Sequence, residues 1–167
     1  MTEIMQAELR RLLSYDPATG IFKWVSHPSE RSRAKIGSEA GWLENSGYRR
    51  ICLHGKAYQA HRLAWLYMTG EWPIDQIDHR NMNKADNRWS NLRIASNSQN
   101  QANRPATRRS SSGFKGVYWH SRRKRWHASI SVDGRLIHLG YRDTQDEAAS
   151  LYAAAAQKFF GEFARAS

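Results

Sequence analysis

The sequence has a single cysteine, Cys52, in 167 residues. That excludes an internal disulfide and any zinc site built from several thiolates, so the core must close without either. Long apolar runs are missing too: none approaches the roughly 20 residues needed to span a bilayer. The opening MTEIMQAELRRLL is acidic and basic by turns and lacks the apolar core of a secretory leader. Acidic residues are scarce, 15 Asp and Glu against 26 Lys and Arg, which leaves a formal charge of +11 and an isoelectric point near 10.2. These deficits predict a soluble cytoplasmic protein with no membrane partner. The surplus cations suit a polyanion, because clustered Lys and Arg release counterions condensed on phosphate backbones. A merely basic, solvated surface is the plainer account of the same charge.

What is present falls into segments. Residues 3 to 13 place Ile4, Leu9, Leu12 and Leu13 at helical spacing. A Pro17 to Gly20 turn leads to a strand over Ile21 to Val25, then to a polar, basic loop over 26 to 35. Strand-like pieces follow around Glu39 to Leu43, Tyr48 to Leu53 and Lys56 to Ala60, the last two joined at His54-Gly55. A helix over His61 to Met68 ends at Thr69-Gly70. For its His61, packing or capping at the helix start stands beside a catalytic role. Residues 104 to 112 read as a flexible basic linker, and between Arg104 and Trp126 there are eight Lys or Arg and no acidic residue.

The final stretch has a period of two. Val117 and Trp119 share a face; Trp126, Ala128, Ile130 and Val132 alternate with His127, Ser129 and Ser131; Asp133-Gly134 makes the turn; Ile137, Leu139 and Tyr141 are expected on one face of a third strand. Trp119 and Trp126 read as core. Thr144 to Glu147 is a capping box opening a helix whose stripe is Ala148, Leu151, Tyr152, Ala155 and Phe159. Three antiparallel strands and one helix make a small domain, and the fold class is α+β, with domains at 1–103, containing a core motif at 76–103, and at 113–167.

Residues 76 to 101, QIDHRNMNKADNRWSNLRIASNSQNQ, carry candidate chemistry on a strand, loop, strand, helix pattern. Phosphodiester hydrolysis needs an activated water, charge neutralisation at the phosphate and stabilisation of the leaving 3′ oxygen, and one bound Mg²⁺ can serve the last two. Mg²⁺ takes oxygen ligands, few of them from protein; Asp78 offers a carboxylate and Asn100 an amide oxygen. His79, with an ordinary pKa of ~6.5, can take a proton from water near neutral pH. Neighbours on a strand point to opposite faces, so the strand must bulge or end here for Asp78 and His79 to flank one group. Asn91 suits a backbone bond across the hairpin, and Arg93 could reach a phosphate. Residue by residue, an Asp-His pair is common and loop asparagines mostly make turns.

The spacing adds to that. Asp78-His79, Asn91 twelve residues after the histidine and Asn100 nine further on resemble the HNH endonucleases, a ββα-metal fold, in the branch found in phage and intron-encoded homing enzymes. Gly47-Tyr48, His61-Arg62-Leu63-Ala64-Trp65, Trp72-Pro73 and Asn91-Leu92-Arg93 extend the likeness over about residues 40 to 104. The resemblance implies His79 as general base, Asp78 and Asn100 as ligands of Mg²⁺ or Mn²⁺, and Asn91 as the residue that holds the loop.

The C-terminal part resembles the AP2 DNA-binding domain over residues 113 to 164, through Gly113-Phe114-Lys115-Gly116-Val117, Trp126-His127-Ala128, Leu139-Gly140, Glu147-Ala148-Ala149 and Tyr152. The resemblance implies a sheet whose outward face enters the major groove, which admits a small sheet. The outward positions are Tyr118, His120, Ser129, Ser131 and His138, with Arg122 and Arg125 beside them and Arg108 and Arg109 in the linker. Together these readings give a metal-dependent DNA endonuclease acting on double-stranded DNA without a small-molecule cofactor; the oligomeric state stays open, a monomer being favoured over a dimer. The alternatives are a non-catalytic DNA-binding regulator and, on charge and aromatics alone, an RNA-binding protein.

Overall fold

A computed structural model of the chain describes residues 4–28, 32, 34–106 and 112–165. Parts of the 26–35 loop and of the 104–112 linker, including Arg108 and Arg109, lie outside these. The chain divides into two compact units, Met1–Ile94 and Ala95–Ser167. Among the described residues, no helix is long and apolar enough to cross a membrane.

The first unit opens with α1 (Gln6–Leu12), which buries Leu9 and Leu12 and passes at once into β1 (Leu13–Asp16). The turn to β2 (Ile21–Trp24) is built by Asp16, whose carboxylate accepts from the Ala18 amide at 2.9 Å and the Thr19 hydroxyl at 2.8 Å. Short polar side chains that bond their own backbone favour such turns. A second sheet follows in the order β3 (Trp42–Leu43), β4 (Arg49–Leu53), β5 (Lys56–Gln59). His54 and Gly55 turn between β4 and β5 with φ of 49° and 77°, both left-handed, the geometry that matches the twist of a two-residue hairpin. Helix α2 (Ala60–Thr69) buries Leu63, Ala64 and Leu66 and stops at Gly70, in the left-handed conformation. Leu9, Leu12, Leu13, Phe22, Ile51, Leu53 and Leu63 are almost fully enclosed, each side chain contributing about 1.5–3 kcal/mol of burial. That core backs β6 (Gln76–His79), which pairs with β7 (Leu92–Ala95).

The second unit opens with α3 (Asn97–Asn103), capped by Ser96 and Gln99 reciprocally. Antiparallel strands β8 (Val117–His120), β9 (Arg125–Val132) and β10 (Arg135–Arg142) lie in the order β10-β9-β8, and α4 (Gln145–Phe160) packs on one face. The Thr144–Glu147 capping box is present. Gly116 takes φ +64°, and a Cβ there would stand 2.1 Å from the Ser129 carbonyl and 2.6 Å from the Tyr152 ring, so only glycine fits.

Three details differ from the expected pattern. The β9–β10 register shifts between His138 and Gly140, so Tyr141 pairs with His127 and leaves the face of Ile137. A one-residue bulge inverts every later side chain, and Gly140, at φ +122°, permits it. On α4 the buried set is Ala148, Tyr152, Ala156 and Phe160, a steady i, i+4 line, while Phe159 is exposed. Trp119, expected in the core, is 47 % exposed on β8, an edge strand, with its ring edge-on to Trp126 at 5.4 Å.

Candidate functional site

Strand β6 ends in three successive buried residues, Ile77, Asp78 and His79. Alternation would send Asp78 and His79 to opposite faces, but the strand stops at His79. The Met82 amide bonds the His79 carbonyl at 2.8 Å, with Met82 itself left-handed at φ 63°, and the Arg80 amide bonds the Asn91 carbonyl at 2.9 Å.

Side-chain amides shape the loop that follows. Asn91 Oδ1 accepts from the Asn81 amide at 3.0 Å, and its Nδ2 donates to Asn81 Oδ1 at 3.0 Å and to the Asp86 carbonyl at 2.8 Å. One residue thus ties both arms of the loop. Arg88 grips Asp86 through Nε and Nη2 at 2.8 and 2.6 Å, and this contact above all pulls the Asp86 carboxyl down to about 2.

Asp78 is 4 % exposed and is paired with Arg93, whose Nε and Nη2 lie 2.9 and 2.8 Å from its Oδ2. A fork-like guanidinium beside a carboxylate is the arrangement that makes a buried charge tolerable. Arg93 was expected to be able to reach a phosphate; here its guanidinium is buried against Asp78 instead.

His79, also 4 % exposed, directs Nε2 at Asn87 Oδ1, 3.2 Å away. Its ring lies edge-on to His61, centroids 5.2 Å apart, and 6.0 Å from Tyr48. Lys84 Nζ stands 4.8 Å over the Tyr48 ring and donates to the Ser46 carbonyl at 3.1 Å. Burial lowers the His79 pKa, with the Asn87 bond opposing it, so the imidazole is neutral at physiological pH. His61 is lowered to about 3, again chiefly by burial, and its Nδ1 has no hydrogen-bond partner among the described residues.

The buried neutral pair has a consequence for stability. Between about 3 and the ordinary 6.5 the unfolded chain protonates His61 while the folded one does not. Stability therefore falls as pH drops through that window, by up to about 1.4 kcal/mol per pH unit for one proton, and His79 adds in the same direction. His61→Phe should flatten this acid slope in urea unfolding measured across the window; an unchanged slope would mean that His61 is not the group responsible.

The structure thus brings Asp78, His79, Asn91 and Arg93 together in the first unit. Asn100 lies on α3 of the second unit, half-buried, its amide bonded to the Ser96 carbonyl at 2.9 Å. In the C-terminal sheet Tyr118, Ser131, His138, Arg122 and Arg125 are exposed and His120 is half-buried. Arg125 pairs with Asp143 at 2.7 and 2.8 Å. Ser129, expected to face outward, is only 5 % exposed; the register places it opposite His138.

The same face holds two residues missing from the expected set. His127 is buried under the rings of Tyr118 at 4.6 Å and Tyr141 at 4.8 Å, with Nε2 3.1 Å from His138 Nδ1. Its alternation with Ser129 and Ser131 was a readable signal; the bulge that brings Tyr141 over was not. Asn87 was missed as well, and nothing in its spacing marks it.

Comparison with known proteins bears on this geometry. The profile of a family described as HNH endonuclease matches residues 58–102. A protein of Acanthamoeba polyphaga mimivirus, itself named as an HNH endonuclease, is 36 % identical over 148 residues, spanning 87 % of this chain and 74 % of its own length. This chain belongs to the HNH endonuclease family. Protein 3.8 of Escherichia phage T7 is 29 % identical over 111 residues, 66 % of this chain and 91 % of that one. Among solved structures the HNH homing endonuclease I-HmuI, described in DNA binding and cleavage, is similar at 25 % identity and a TM-score of 0.40, over 55 % of this chain and 50 % of its own. For an HNH endonuclease the matched segment begins at Tyr58, so it takes in His61 and α2 as well as β6, the amide loop and α3 up to Ala102.

Proposed function

We propose that this HNH endonuclease is a divalent-metal-dependent DNA endonuclease with His79 as the general base. The observation that carries the reading is the His79 imidazole, buried, hydrogen-bonded at Nε2 and pushed by burial toward its neutral form, next in sequence to the buried carboxylate of Asp78 and beside a loop tied by Asn91. A neutral histidine is the form that can accept a proton from water.

By the chemistry of their side chains, Asp78 and Asn100 are the residues that would hold a hard cation such as Mg²⁺ or Mn²⁺, which takes oxygen ligands and keeps most of its water. Such an ion, when bound, supplies Lewis-acid polarisation of the phosphoryl group and stabilises the leaving oxygen. The chain's own residues do the rest: His79 takes the water's proton, Asn91 fixes the loop, and Arg93 balances the charge of Asp78.

The C-terminal sheet is the targeting module in this reading, AP2-like. Tyr118, His120, Ser131 and His138 would meet base edges, while Arg122 and Arg125 meet phosphate. Backbone contacts give salt-dependent affinity and base-edge contacts choose the site.

Incubation with supercoiled plasmid tests the whole. Mg²⁺ or Mn²⁺ should convert it to relaxed or linear DNA, and EDTA should block this. A band shift without loss of supercoils in either metal would identify a non-catalytic DNA-binding regulator instead.

A further inference from the structure

Asn87 is the most enclosed asparagine of the loop, 1 % exposed, and both ends of its side chain are committed. Nδ2 donates to the Ala85 carbonyl at 3.4 Å while Oδ1 faces His79 Nε2 at 3.2 Å. Its backbone is anchored too: the Asn87 carbonyl accepts the hydroxyl of buried Tyr15 at 2.6 Å, and the Tyr15 ring packs on Phe22 with centroids 4.7 Å apart. If the amide turned over, Oδ1 would face the Ala85 carbonyl oxygen, two acceptors with no hydrogen between them. With Oδ1 held as an acceptor, His79 Nε2 must be the donor. A neutral imidazole carries one N–H, so the lone pair lies on Nδ1.

Resting on the reading of His79 as the base, we infer that Asn87 is a positioning residue that selects the Nε2–H tautomer of His79 and so makes Nδ1 the atom that takes the proton of the attacking water. The proton passes from water to Nδ1 as the water oxygen bonds phosphorus and the bond from phosphorus to the leaving 3′ oxygen breaks. Asn87 gains and loses no proton and touches no reacting atom. His61 and Tyr48, packed against the same ring, restrict its plane, while the amide decides which nitrogen is basic. A carboxamide is suited to this task where a carboxylate would add a charge. The local negative charge, Asp78, is already matched by Arg93, and another would sit in the same enclosed space.

The test reads the tautomer directly and needs no cleavage. In the full chain labelled with ¹⁵N-histidine, two-bond proton–nitrogen correlation at mildly alkaline pH separates protonated from unprotonated ring nitrogens, with His79 identified by its absence in His79→Gln. Wild type should show a protonated Nε2 and an unprotonated Nδ1. Asn87→Leu, which removes the acceptor, should give mixed tautomers and lower kcat by roughly 10- to 100-fold, the loss typical when a partner that orients a metal-ligating histidine is removed, with KM for DNA little changed. Asn87→Asp keeps an acceptor facing Nε2 and should keep the tautomer, while its added charge and its second oxygen beside the Ala85 carbonyl leave the rate only partly recovered. His79 protonated on Nδ1 in wild type overturns the inference, as does an unchanged tautomer in folded Asn87→Leu. Should Asn87→Leu fail to fold, the wild-type and Asn87→Asp spectra still decide. Cleavage that survives loss of His79 would sink its role as base, an outcome on which the spectra do not depend.

Discussion

His79→Ala should lower the cleavage rate by about 10²- to 10⁴-fold, the range a positioned general base supplies, while DNA affinity stays close to that of the wild type. The two effects separate because they arise in different places. Affinity for a polyanion comes from cations that displace counterions, and the imidazole of His79 is neutral and buried. Removing it leaves the overall charge and the exposed arginines as they were. The structural cost is bounded: the ring touches His61 and Tyr48 on its sides and Asn87 at Nε2, so truncation opens a polar cavity that water can enter. Single-turnover cleavage of labelled duplex, set beside a mobility shift in EDTA, measures both quantities. Full nicking by the variant would remove His79 as the base; a parallel loss of binding would mean that the substitution had damaged the fold. His79→Gln, nearer in size and without a base in this range, should fail as completely, which separates proton transfer from packing.

The parts of the structure legible from sequence are those in which local chemistry decides. His54-Gly55 and Asp133-Gly134 turn because left-handed backbone is needed there, with φ of 49° and 77° and of 49° and 79°. Ser96–Gln99 and Thr144–Glu147 cap their helices reciprocally, and a spacing of three residues suffices to read the second. Period-two reading failed at Tyr141, since it carries no information on where a ladder slips by one residue. It also placed Trp119 inside although β8 is an edge strand with one neighbour, a fact of sheet order that lies outside the segment's own sequence. At the site, the spacing ran from Asp78-His79 through Asn91 to Asn100; the structure gathers the first three in one unit and carries Asn100 on α3 of the other. The spacing could not say that Arg93 turns inward on Asp78, or that Asn87, one of several asparagines in a loop where turns explain them all, would be the one bonded to the imidazole. Those outcomes depend on which side chains the enclosed space leaves without water, a property of packing.

Arg93→Ala should destabilise the protein by about 3–5 kcal/mol, the cost of stranding one member of a buried ion pair. This magnitude decides between two roles for the arginine. As a surface cation touching phosphate, Arg93 would change the slope of log affinity against log salt by about 1 and affect folding little. Its side chain is only 7 % exposed, and both of its contacts with Asp78 are under 3 Å. The counterion role should therefore dominate, and urea unfolding is the first measurement to make. The midpoint should fall steeply in Arg93→Ala and also in Arg93→Met, which restores volume but not charge. Combining Arg93→Met with Asp78→Leu removes both charges together, so much of the lost stability should return, giving a coupling energy that neither single substitution predicts. Near-wild-type stability in Arg93→Ala with a reduced salt slope would show instead that the guanidinium spends its time on DNA and that Asp78 holds its place without it.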